Sequence, residues 1–100
     1  MRIAIDKITA EAFADLHGGG IDVLRDGAQP LRLRLCQITP LGPGGPRSAP
    51  PFSVTLCAPD GDRLAQGIHA LQHPSLGRLE LFLVPIGRLA DGAGYEIVFN

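Results

Sequence analysis

The sequence predicts a mainly β protein, a small antiparallel barrel or sandwich of about six strands with one short N-terminal helix. Two runs, residues 31–38 and 52–58, alternate apolar and polar side chains with the period of two that a half-buried strand shows. Residues 66–85 read as two further strands joined by a Pro/Gly turn. The links between such runs are short, as in a meander of hairpins, and 100 residues make a single domain, 1–100.

The elements follow in order. Residues 2–8 alternate weakly, with Ile3 and Ile5 opposite Ala4 and Asp6. Thr9 then suits a helix N-cap, because its hydroxyl can accept from an orphan backbone N–H, and Glu11 sits in the positive first turn. Phe13 and Leu16 are three apart and share a face that can dock on a sheet. Gly18-Gly19-Gly20 is expected to end this helix. A short strand over 21–25 closes at Asp26-Gly27, a good turn pair. In the run 31–38, Leu31, Leu33 and Leu35 take one side and Arg32, Arg34 and Cys36 the other.

Residues 40–51 hold five prolines and three glycines and are expected to form a surface loop. The next strand sets Phe52, Val54 and Leu56 against Ser53, Thr55 and Cys57, and Pro59-Asp60-Gly61-Asp62 makes a tight turn. In the run 77–85, Leu79, Leu81 and Leu83 form one face, while Arg78, Glu80, Phe82 and Val84 form the other. That second face passes from charged to apolar, which predicts a strand that leaves solvent and enters cover. Residues 88–94 read as a loop, and Tyr95, Ile97 and Phe99 place a last strand in the core.

Composition excludes several classes. Hydrophobic residues at 45% and charged residues at 19% are globular values. The net charge of −1 comes from scattered residues, and Arg32 with Arg34 is too short a basic stripe for a nucleic-acid partner. No apolar run nears the roughly 18 residues of a membrane span. Residues 1–9 lack a signal-peptide apolar region, so the expected compartment is the cytoplasm. Cys36 and Cys57 are therefore expected to be free, partly buried thiols, although neighbouring strands would permit a disulfide.

No residue pattern names a reaction. His69 and His73 lie four apart on a strand, which at ~3.3 Å per residue separates the rings by about 13 Å, too far for one metal ion. Ser48, Ser53 and Ser75 lack a nucleophile elbow, and Cys57 lies in an apolar run that disfavours a thiolate. Asp60 and Asp62 have no following oxygen ligands for calcium. Gly18-Gly19-Gly20 follows a helix, whereas phosphate loops precede one. No enzyme activity, cofactor or metal is expected. Gln66, His69, Gln72 and His73 stand out as four hydrogen-bonding side chains around one hairpin. They are either turn-bonding groups or a polar recognition surface.

The segments Phe52-Ser53-Val54-Thr55-Leu56, Gln66-Gly67, Leu71, His73, Leu76-Gly77, residues 81–87 and the closing residues 95–100 resemble a small bacterial family. Its pattern runs F-S-L … G-P … L-x-Q-G-x-Y-x-L-x-H-x-x-L-G-x-x-x-L-F-L-V-P-x-G … G-x-x-Y-E-A-V-F-N. His69 stands where that family favours tyrosine, and Ile97 replaces a small residue. The family is a domain of unknown function whose genes often accompany phage-tail-collar-like or tail-fibre-like proteins. The resemblance implies a structural or interaction module, with another protein as partner and the oligomeric state open. The alternative is a small-ligand-binding barrel whose mouth uses the polar residues of 66–73.

Overall fold

In chain order, helix α1 (Ala10–Ala14) is followed by β1 (Gly20–Leu24), β2 (Leu31–Pro40), β3 (Phe52–Ala58), β4 (Gly67–His73), β5 (Gly77–Leu89) and β6 (Gly92–Phe99). The computed structural model describes residues 8–14, 16, 20–42, 50–58, 63–89 and 92–99. Within these residues the strands close into an antiparallel barrel with the order β1-β2-β3-β6-β5-β4. The weak alternation over 2–7 and the centre of the Pro-rich loop, 43–49, lie outside the described residues.

The barrel is two three-stranded meanders joined edge to edge. Strands β1, β2 and β3 form one and β4, β5 and β6 the other, sealed by the β1–β4 and β3–β6 ladders. Closure leaves no unpaired edge, which removes the hazard that open sheets carry. Strands β3 and β4 stand three places apart on this ring of six, so the link between them must cross the barrel's end. Leu64 on that link is buried, and its backbone N–H donates to the Tyr95 hydroxyl at 2.8 Å.

The opposite end is closed by α1. Phe13 meets Phe99 at 5.5 Å and Phe52 at 6.3 Å between ring centroids, and Phe52 stacks on Phe99 at 4.6 Å. Between the two plugs the interior is filled by Ile21, Val23, Leu33, Val54, Leu56, Leu71, Leu79, Leu81, Leu83, Tyr95 and Ile97, all buried. The leucine and aromatic faces expected of 77–85 and 95–99 therefore do point inward, because alternate residues of a strand share a face.

Five expectations are corrected. Of the expected glycine terminator, Gly18 and Gly19 lie outside the described residues, and Gly20 is instead the first, buried residue of β1. An added Cβ there would overlap the Leu33 carbonyl oxygen, so the ladder demands glycine. Strand β2 continues to Pro40, which pairs with Phe52 at the edge of the Pro-rich loop. Residues 88, 89 and 92–94 are strand rather than loop: Arg88 pairs with Ala93 and Leu89 with Gly92, because a bulge between Pro85 and Gly87 carries β5 onward, while 90 and 91 lie outside the described residues. The outward face of β5 does not enter cover, since Phe82 remains 50% exposed.

The fifth correction concerns the cysteines. Cys36 and Cys57 form a disulfide, and among the described residues no cysteine is free. Cys36 is exposed on β2 and Cys57 is buried on the adjacent β3. The β2–β3 register runs Leu35↔Leu56 and then Gln37↔Thr55, which leaves Cys36 as the extra, bulged residue beside Cys57. Periodicity alone predicts neither the bulge nor which strands are neighbours.

Candidate functional site

His73 is the most completely bonded side chain of the four picked out in the sequence. It is buried, with its ring edge-on to Phe13 at 5.4 Å and 87°. Its Nδ1 accepts from the backbone N–H groups of Ser75 and Leu76, both at 3.1 Å, and lies 3.3 Å from the Ser75 hydroxyl. Its Nε2 lies 2.8 Å from the carbonyl oxygen of Ala12. Backbone N–H groups can only donate and a carbonyl can only accept. The ring is therefore the neutral tautomer with its proton on Nε2. No lone pair remains for a metal. His73 instead ties helix α1 to the β4–β5 turn, which Gly77 completes at φ 78°.

The other three lie elsewhere. His69, half-buried on the inner face of β4, donates from Nε2 to the Ala65 carbonyl oxygen at 2.7 Å and so fixes the chain's entry into the strand. Gln72 points outward, with Asp22 on one side and Arg78 on the other in the ladders. Gln66 is exposed just before β4 begins. Strand alternation separates Gln72 from both histidines, and seven residues of β4 carry His73 to the end opposite Gln66.

The outer surface of the barrel around β4 and β5 carries two bands. Toward the helix end lies a polar row: Asp22, ion-paired to Arg32 at 3.0 Å, then Gln72 and Arg78. Toward the other end the register sets Ile68 directly opposite Phe82, 70% and 50% exposed. Val98, 44% exposed, faces outward on β6. The sequence signal for this band lies in apolar residues at outward positions, Phe82 on β5 among them.

A cavity of about 240 Å³ lies at the barrel end that the β3–β4 link crosses. Its walls are Arg63 and Leu64 of the link, Pro85, Gly87 and Arg88 of β5, and Ala93, Gly94 and Tyr95 of β6. Gly87 pairs with Gly94, so two strands face each other there without side chains. Gly87 adopts φ 95° at the bulge, a conformation that L side chains rarely take. Sequence reasoning missed this place because its residues come from three segments and are joined only by the bulge and the crossing link.

Among the described residues no three His, Cys, Asp or Glu side chains come close enough to hold a metal ion. No helix there is long and apolar enough to cross a membrane. Searches of curated proteins and of solved structures found no match. A family model described as a domain of unknown function, DUF6916, matches residues 8–99, which take in α1, both barrel plugs, all six strands and the cavity. The chain belongs to that family.

Proposed function

We propose that this domain is a non-enzymatic interaction module that binds another protein through the outer face of the β4–β5–β6 meander. The observation that carries the reading is the Ile68–Phe82 pair, two large apolar side chains in register on the solvent side of a closed barrel. Large apolar groups cost free energy when left in water, and contiguous exposed ones mark contact surfaces. The barrel interior is filled, so this face is not a displaced part of the core. Arg78 and Glu80, 3.7 Å apart on the same face of β5, give the patch a rim of both signs. A partner with an apolar centre and mixed charges at its edge fits it.

The specific form of the proposal is an accessory subunit of a phage-tail-like or surface assembly, the setting implied by the sequence resemblance. The Cys36–Cys57 bond supports the surface form, because disulfides persist chiefly in oxidising surroundings, and it weighs against the cytoplasm.

A photo-crosslinking side chain placed at position 82 should capture a defined partner in the native host, and one placed at Arg32 should not. Ile68→Lys should abolish the adduct at 82 while leaving the thermal midpoint within a few degrees. Adducts of equal yield from both positions, or none from position 82, would remove this face from consideration.

A further inference from the structure

We propose that the cavity between the β3–β4 link and the β5–β6 hairpin is a binding site for a small organic carboxylate with an apolar body. This site is independent of the outer face of the meander. Leu64, Pro85, Ala93 and Tyr95 give it apolar walls, and Arg63 and Arg88 complete the lining. The Tyr95 hydroxyl accepts from the Leu64 N–H at 2.8 Å and keeps its own proton to donate. The cationic side chains of the lining are the two arginines, so charge recognition falls to them, with the Tyr95 O–H as a further neutral donor. Both are exposed, and neither has an ion-pair partner among the described residues.

The chemistry of the lining selects among anions. Guanidinium groups present parallel N–H donors that match a carboxylate. Inorganic phosphate would gain nothing from an apolar floor, whereas an alkyl or aryl tail would be desolvated there. The volume of about 240 Å³ falls below the usual range for drug-sized ligands, so the occupant is small. Gly87 and Gly94 pair across the β5–β6 ladder within the lining. A Cβ on Gly87 would meet nothing within 4 Å, while one on Gly94 would press on Leu89 and Ile86 at 2.7 to 3.0 Å.

The test uses hexanoate as the probe, followed by amide chemical shifts in the intact domain. Saturable shifts at Leu64, Gly87 and Gly94 are expected, with roughly millimolar affinity for so few atoms. Arg63→Gln and Arg88→Gln should each weaken binding about fivefold to tenfold, the low end for a charged hydrogen bond at a solvent-exposed rim. Arg32→Gln should leave it unchanged. Hexanol, which keeps the tail and lacks the charge, should bind at least about fivefold more weakly on the same grounds. Hexanol binding as well as hexanoate would overturn the role of the arginines, and this comparison needs no variant to fold. Equal binding of inorganic phosphate would overturn the organic-acid class. Failure of hexanoate to saturate, or shifts confined to Ile68 and Phe82, would overturn the site.

Discussion

Cys36 is bonded to Cys57 at the step where the β2–β3 ladder slips by one residue. The bulge and the bond support each other. A bulge leaves one residue unpaired and twists its strand, and the covalent link holds that residue against the neighbouring strand. The bridge also encloses 21 residues of sequence separation, including the Pro-rich connection.

Unreduced, denatured protein should therefore bind no thiol reagent, and reduced protein should bind two equivalents. Cys36→Ser combined with Cys57→Ser should lower stability by about 3 kcal/mol, the chain-entropy value for a loop of this length. Denaturant unfolding of wild type and double variant measures the difference. Two reactive thiols in unreduced protein would show that the bond does not form.

His73→Ala should cost about 2–4 kcal/mol. It orphans two backbone N–H groups and the Ala12 carbonyl and removes the ring packed on Phe13. His69→Ala, which loses one bond at a half-buried position, should cost less, about 1 kcal/mol. Equal losses in chemical denaturation would mean that the helix is not anchored through His73.

Phe99 and Val98 are chain neighbours on opposite faces of β6, 2% and 44% exposed. Phe99→Ala should cost about 3–5 kcal/mol through lost burial and the cavity left beside Phe13 and Phe52. Val98→Thr should change stability by less than about 0.5 kcal/mol. Matching thermal midpoints for the two would place the last strand outside the barrel.

Gly20→Ala should be among the most damaging small substitutions, because its Cβ would overlap the Leu33 carbonyl oxygen and crowd Arg32. A backbone atom cannot rotate away, so the β1–β2 ladder must shift, at a cost of about 2 kcal/mol or more. Gly87→Ala meets open space and pays only for its positive φ, about 1 kcal/mol. Hydrogen exchange across β1 and β2 would register the first change and not the second.

The sequence by itself determined the mainly β class, the inward residues of β3, β5 and β6, and the turn through Pro74 to Gly77. Each rests on a period of two or on local turn chemistry, which the chain carries wherever it folds. It also marked Gly77 as a turn residue and offered turn bonding as one of two readings of His73, because the bonds from Ser75 and Leu76 to His73 are local. Tertiary structure alone decided the ring closure, the Cys36–Cys57 bond, the long β5–β6 hairpin and the cavity between Arg63 and Arg88. These depend on which strands become neighbours and where a ladder slips. A bulge at Cys36 or at Ile86 adds one residue to a strand without disturbing any local pattern, yet it re-aims everything beyond it. The outward Phe82 shows the same division: its period was legible, but whether anything covers that face depends on what the rest of the chain packs against.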